Sequence, residues 1–233
     1  MISFFIPIRK GSKRVKNKNI KKFNKYKLGL TELKINQLKK FRKISSKMKI
    51  YGHDFEYIIS TDIPEIINFC KKFKWLKVHI RNSKNSGDHS LQKMIDLVPE
   101  ICSGEYILWT HVTSPFFSSS LYRDFINEFF KNSIKNKSKS GFSAEKIGKF
   151  VFCNKRKWIS HNQKSLKWPR TQDLDPLYAM NSAAIISEKK VYINLKDRIC
   201  KKPLPIITKN KRGLDIDDLK DFEVLKKTNN FLL

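Results

Sequence analysis

The chain has 233 residues with 49 Lys and Arg against 21 Asp and Glu, a net charge of +28, and 40% apolar and 12% aromatic content. That apolar content excludes a disordered chain, and no apolar run nears the roughly 18 residues of a membrane-spanning helix. Cys70, Cys102, Cys153 and Cys200 form no CxxC pair, which excludes zinc spacing and a small disulfide framework and leaves reduced thiols as the expectation.

The length favours one domain. The amino-terminal segment lacks a secretory layout, because its charges follow its apolar run, so a soluble, intracellular, cytoplasmic protein is expected. The positive excess attracts polyanions. It is spread from residue 9 to residue 227 without a dominant basic tail, which is weak support for nucleic acid as a partner.

In chain order, Ile2–Ile8 reads as a strand that empties into a carboxylate-free basic loop. Leu30, Leu33, Leu38 and Phe41 recur near the helical period, with Lys34, Lys39 and Lys40 expected on other faces. Glu56–Ser60 is the next strand, followed by Asp62 as helix cap, Pro64 in the first turn, and a buried stripe of Ile63, Ile66, Ile67, Cys70 and Phe73.

A short strand at Lys77–Arg81 leads through a polar loop to a helix marked by Leu91, Met94, Ile95 and Val98, which Pro99 is expected to limit. "EYILWTHVTSPF" supplies another strand, and Leu121, Phe125, Ile126 and Phe129 another amphipathic helix. Phe142–Ala144 and Phe150–Cys153 read as strands; the polar stretch from Asn154 to Pro176 has no clear period. Residues 142–180 are therefore taken as a lid or dimer-contact excursion. "AAIIS" is a strand, and "GLDIDDLKDFEVLKK" a carboxylate-bearing loop entering a terminal helix. Strands alternating with helices predict an α/β fold with a mostly parallel central sheet flanked by helices.

In such sheets the ligand crevice lies beyond the carboxyl ends of the strands. The first strand is followed by Arg9, Gly11, Ser12, Lys13, Lys18 and Asn19, a set able to cradle phosphate with backbone N–H groups, a hydroxyl and cations. It is neither a Walker A loop nor GxGxxG, and an exposed basic turn is the plain alternative. Later strand ends carry Thr61 and Asp62, then Gly87, Asp88 and Ser90, then Thr110, His111, Thr113 and Ser114. These hydroxyls, amides and ring nitrogens suit a base or sugar, although His111 equally suits a local structural hydrogen bond. Asp215 and Asp217 alternate in "LDID", so an extended backbone points both to one side. Two carboxylates there suit Mg²⁺, which shares oxygen ligands with substrate phosphates; the alternative is a capped helix start at Asp217 or Asp218.

Taken in order, these segments resemble the acylneuraminate cytidylyltransferase family, which makes CMP-activated sugar acids. Its R-x-x-S-K-x-x-x-x-K-N loop is similar to Arg9, Ser12, Lys13, Lys18 and Asn19, and its S-T-D to Ser60-Thr61-Asp62. Its Q-P-T-S-P loop resembles His111-Val112-Thr113-Ser114-Pro115. Its R-x-Q-D before N-G-A resembles Arg170, Gln172 and Asp173 before Asn181-Ser182-Ala183, and its D-I-D is Asp215-Ile216-Asp217. The resemblance spans nearly the whole chain.

It implies a Rossmann-like nucleotidyltransferase fold, usually dimeric. CTP would meet Arg9, Gly11, Ser12, Lys13, Lys18, Asn19, Asp88, Ser90, His111 and Thr113, and the sugar acid would meet Arg170, Gln172 and Asn181. Asp215 and Asp217 would hold Mg²⁺, and with Arg9 and Lys18 form the catalytic set. A sugar hydroxyl would attack the α-phosphorus and release pyrophosphate, for surface glycan assembly such as lipopolysaccharide or capsule. Four positions depart from the family pattern. Arg14 stands for a glycine, His111 for a glutamine, Ser182 for a glycine, and Ala179 for an arginine that faces the sugar carboxylate in sialate-activating members. The contrasting reading is a non-catalytic nucleotide- or nucleic-acid-binding protein of the same fold.

Overall fold

The computed structural model describes residues 1–12, 14–47, 52–82, 91–208 and 212–232; Lys13, Gly87, Asp88 and Ser90 lie outside them. The opening apolar run forms β1 (Ile2–Ile8). There follow α1 (Gly29–Lys47), β2 (Phe55–Thr61), α2 (Pro64–Cys70), β3 (Lys77–Ile80), α3 (Leu91–Ile101), β4 (Tyr106–Thr110), α4 (Ser119–Ser133) and β5 (Ser140–Ile147). The chain continues with β6 (Phe152–Cys153), β7 (Lys157–Trp158), β8 (Leu177–Glu188), α5 (Lys189–Leu195), β9 (Leu204–Ile207) and α6 (Leu219–Leu232).

Among the described residues seven strands form one sheet in the order β3-β2-β1-β4-β8-β5-β9, and β6 pairs with β7 apart from it. β1 lies parallel between β2 and β4, with β3 parallel to β2 and β9 parallel to β5. β8 is inserted antiparallel between β4 and β5. The mostly parallel sheet is the one the alternating pattern predicts.

Side chains alternate across the sheet because successive strand residues point to opposite faces. On one face Phe4, Ile6, Tyr57, Ile59, Leu108 and Ile186 pack with residues of α1, α2, α4 and α6. On the other, Phe5, Ile58, Ile107, Trp109 and Ile185 pack with α3 and α5. The central strands are buried on both sides, which is why they read as continuous apolar runs.

Several local expectations are corrected. Asp62 does not cap α2: the capping position is Ile63, without a side-chain hydrogen bond. The Asp62 carboxylate instead accepts from the Lys10 N–H at 2.7 Å, tying the basic loop to the end of β2. Pro99 sits inside α3, which runs on to Ile101. Lys34, expected on an outward face of α1, is fully buried. The sequence pattern does not reveal α5, β7 or β9. α5 has seven residues, too few to display a period. β9 contains Pro205, which argues against a central strand but is compatible with this sheet edge.

β1, β2, β3 and the turn before β4 are joined by one carboxylate. Glu56 accepts from Ser3 Oγ at 2.5 Å, Lys77 Nζ at 2.5 Å, and Ser103 N and Oγ at 2.9 and 3.1 Å. Burial pushes this carboxyl up, but the hydrogen bonds from Lys77, Ser3 and Ser103 outweigh it and hold it at about 2, against 4.5 for the free group. Because the folded value is the lower one, the stabilisation is present above pH 4.5 and is lost as the pH falls from there toward 2. Glu56→Ala should cost about 1–3 kcal/mol at neutral pH, since it leaves the buried Ser3 hydroxyl without its acceptor and removes the link between three strands. Urea melts at pH 7 and pH 3 check this, with the gap between variant and wild type shrinking at the lower pH.

The β5–β8 ladder shifts register between Phe142 and Ala144. Ser143 Oγ donates to Asn181 Oδ1 at 2.6 Å and accepts from Ala184 N at 2.9 Å, stitching this irregularity together. Beside it Ser182 has φ of 58°, in the left-handed region. That conformation costs a side-chain-bearing residue about 1–2 kcal/mol, more than the extra unfolded-chain entropy of glycine, at about 0.5–1 kcal/mol. Ser182→Gly should therefore raise stability by about 0.5–1 kcal/mol, read as an increased urea midpoint at unchanged slope.

Candidate active site

The loop that leaves β1 is anchored at several described residues. Gly11 has φ of 81°, a conformation glycine adopts without strain. Val15 and Phe23 are buried pegs that fix the loop to the core. Asn19 Nδ2 donates to Arg9 O at 3.2 Å, while Asn19 O accepts from Thr31 N and Oγ1, so the loop is sewn to the first turn of α1.

The carboxyl-terminal acidic segment comes to the same place. Ile216 is fully buried, its N–H donates to Thr113 O at 2.9 Å, and its carbonyl accepts from Lys18 Nζ at 2.5 Å. With Ile216 turned inward, Asp215 and Asp217 both line the cleft, the alternation the sequence predicts. Ser114 Oγ donates to Asp215 Oδ1 at 3.2 Å, and Arg14 Nη2 pairs with Asp217 Oδ1 at 3.0 Å. The helix-cap function falls to Asp218, whose Oδ1 accepts from Asp221 N, while Asp221 Oδ2 accepts from the N–H groups of Asp217 and Asp218. This reciprocal cap leaves the Asp217 side chain available to the cleft.

Between the two ends lies a cleft of 660 Å³. Its charged wall carries Arg9, Ser12, Arg14, Lys18 and Arg81. Leu91, Met94, Trp109, His111, Thr113, Asp215 and Asp217 also line the cleft, beyond the carboxyl ends of β1 and β4. A lining with this many cations suits a molecule with a polyanionic tail.

Burial lowers the Lys18 ammonium pKa, and Asp215 and Asp217 act against that shift. Burial likewise raises Asp215, opposed by hydrogen bonding from Thr113 and by Lys18. Each charge of this pair depends on the other. His111 is driven down to about 3 by burial and by the cations Arg198, Lys34 and Lys18, so its ring is neutral. Its Nε2 lies 3.0 Å from Trp109 Nε1, which is a donor only, so Nε2 accepts and the ring proton resides on Nδ1. His111 is a neutral donor, and a proton-accepting role is excluded by this geometry.

Of the residues named from sequence, Arg9, Ser12, Lys18, Asn19, His111, Thr113, Asp215 and Asp217 line one cleft. Arg170 and Gln172 do not line it; they are exposed at the short 3₁₀ turn Thr171–Asp173. Asn181 is engaged with Ser143 and with Thr208 Oγ1 at 3.2 Å, and it abuts Gly213, where a Cβ would lie 1.8 Å from Asn181 Nδ2. Sequence reasoning left out Arg81, Trp109, Leu91 and Met94, and treated Arg14 only as a departure. Arg81 was discoverable as the first residue beyond β3; the apolar members look like ordinary core residues.

Among the described residues no group of three or more His, Cys, Asp and Glu is placed to hold a metal. Asp215 and Asp217 supply two hard oxygen donors in a cleft also lined by Arg9, Arg14 and Lys18, a set that fits Mg²⁺, whose remaining ligands are ordinarily water and substrate phosphate. No helix among the described residues is long and apolar enough to cross a membrane.

Comparison with solved structures agrees with this architecture. A CMP:2-keto-3-deoxy-manno-octonic acid synthetase complexed with CTP superposes with a TM-score of 0.64 at 11% identity, covering 100% of this chain and 99% of that one. The 4-diphosphocytidyl-2C-methyl-D-erythritol synthase of Anaerococcus prevotii gives 0.65 at 13% identity, covering 98% and 96%. A cytidylyltransferase of Leptospira borgpetersenii gives 0.58 at 13% identity, covering 100% and 87%. No curated protein matches the chain. At these identities the likeness is one of fold; the sequence itself is matched by the cytidylyltransferase family model over residues 3–228, so the match takes in both the basic loop and the acidic segment. The chain therefore belongs to the cytidylyltransferase family.

Proposed function

We propose that the protein transfers CMP from CTP to a hydroxyl of a sugar acid, releasing pyrophosphate. The observation that carries this reading is the shared cleft, which brings Arg9, Arg14 and Lys18 together with Asp215 and Asp217. A binder of phosphate alone has no use for a carboxylate pair beside its cations.

The triphosphate would lie along Arg9, Ser12, Arg14 and Lys18, with the ring toward Trp109 and the His111 Nδ1–H directed at an acceptor atom. Asp215 and Asp217 would hold Mg²⁺, which supplies charge neutralisation to the phosphates when bound. The sugar oxygen forms a bond to the α-phosphorus as the bond to the pyrophosphate oxygen breaks. Lys18 and the arginines stabilise the charge that develops, and the fixed cleft aligns the two reactants. Arg14 and Asp217 are both largely exposed, and an exposed ion pair contributes ~1 kcal/mol or less. Exchanging it for contacts to metal and phosphate thus costs little.

Ala179 lies on the exposed first half of β8, where the sialate-activating members carry an arginine. This favours a sugar acid other than sialic acid. The two ends of the 142–180 span belong to β5 and β8 of the central sheet, so the excursion proper is 148–176; Leu166 and Trp168 within it, with Tyr178 and Met180 beside it, leave apolar surface exposed, which supports a homodimer formed through this region. Cytoplasmic supply of an activated sugar for surface glycan assembly completes the reading.

Purified protein given CTP, Mg²⁺ and a panel of sugar acids should release pyrophosphate, with CTP preferred over ATP, GTP and UTP. Asp215→Asn and Lys18→Ala should each lower turnover at least a hundredfold, in line with loss of a charge-stabilising group. Salt-sensitive binding of single-stranded nucleic acid, unaffected by Asp215→Asn and accompanied by no nucleotide preference, would overturn the proposal. A second measurement concerns Arg14. Arg14→Ala should weaken CTP binding about tenfold in calorimetric titration while leaving the thermal midpoint within a degree or two, as expected for an exposed pair.

A further inference from the structure

Lys34 is the least expected residue of the interior. It stands in the second turn of α1, fully buried, with its ammonium 2.8 Å from Tyr122 Oη and 3.2 Å from Ser114 O. It also lies 5.1 Å from the centre of the Tyr122 ring. Withdrawing an ammonium from water costs several kcal/mol unless partners compensate. Burial draws Lys34 down to about 7, with the Asp215 carboxylate acting in the opposite direction.

The directions of these hydrogen bonds are forced. Thr110 Oγ1 has one proton, and Ala183 O at 2.7 Å can only accept it. The contact of 2.6 Å between Thr110 Oγ1 and Tyr122 Oη must then use the phenol proton. Tyr122 Oη is left as the acceptor for Lys34. A directed chain thus runs from α1 through α4 and β4 to β8, and it begins at the lysine.

One turn further along the same helix face, Gln37 Nε2 donates to Pro115 O at 2.6 Å. α1 therefore grips two consecutive carbonyls of the turn after β4. That turn supplies Ser114 Oγ to Asp215 Oδ1 and Thr113 O to Ile216 N. Neither Lys34 nor Gln37 lines the cleft.

We infer that Lys34 and Gln37 are positioning residues for the metal-binding carboxylate: by holding the 113–115 turn from beneath, they set where Asp215 points. This inference rests on the proposed function for its metal, but not for the identity of the sugar or for turnover.

The test is Lys34→Met, which keeps the length of the side chain and removes its charge and donors. Mn²⁺ binding to the protein with CTP, followed by electron paramagnetic resonance, should weaken about tenfold, while CTP binding without metal stays at the wild-type value. In an Asp215→Asn background, adding Lys34→Met should produce no further loss of metal affinity, because both changes act through one carboxylate. A general destabilisation would instead lower metal-free CTP binding and add to the Asp215→Asn loss.

Gln37→Leu, which leaves every charge in place, should weaken Mn²⁺ binding about threefold and decides the matter if Lys34→Met fails to fold. Wild-type Mn²⁺ affinity in whichever variant is folded overturns the inference. Wild-type protein that binds Mn²⁺ with CTP but transfers no CMP overturns the proposed function alone, and absence of Mn²⁺ binding overturns both.

Discussion

The cleft depends on the seating of Ile216. This one apolar side chain is buried while its own N–H and carbonyl are held by Thr113 and Lys18. Since flanking residues in an extended stretch point the other way, burying Ile216 presents Asp215 and Asp217 together. The hydrophobic effect, which has no directional preference of its own, is thereby converted into the orientation of two charges. The Lys18 bond spans 198 residues of sequence, so the same contact also closes the amino-terminal loop against the carboxyl-terminal segment.

Around that point the structure divides its polar groups between holding and acting. Asn19, Asp218 and Asp221 hold the backbone of their own loops, and Asp62 holds that of the loop after β1. Arg9, Arg14, Lys18, Asp215 and Asp217 project into the crevice. His111 takes part in both, since the indole of Trp109 fixes its tautomer while its ring remains at the cleft wall. A carboxylate near a binding loop is thus as apt to be a strut as a ligand, and only its hydrogen-bond partners separate the two.

The sheet and the cleft were legible in the sequence for different reasons. Buried parallel strands leave unbroken apolar runs, so β1 was readable to the residue, and residues just past such runs border the crevice by topology. What stayed hidden depends on contacts between distant segments. Lys34 falls on a polar-looking position of α1 and is drawn inside only because Tyr122 and Ser114 arrive from elsewhere. Asp62 matches a helix cap in its local neighbours, yet Lys10 reaches its carboxylate first. β9 was masked by its proline, which does no harm at a sheet edge and would be disruptive at the centre.

The separation of Lys18 from Ile216 along the chain has a consequence for biosynthesis. Every strand described in the central sheet precedes residue 208, whereas the acidic segment is synthesised after all of them. At about 5–20 residues per second, the basic loop waits roughly 10–40 s for its counterpart. Throughout that interval the nascent polypeptide displays a cationic turn with no carboxylates opposite it. Translation halted before residue 213 would yield a sheet that is complete and a catalyst that is not.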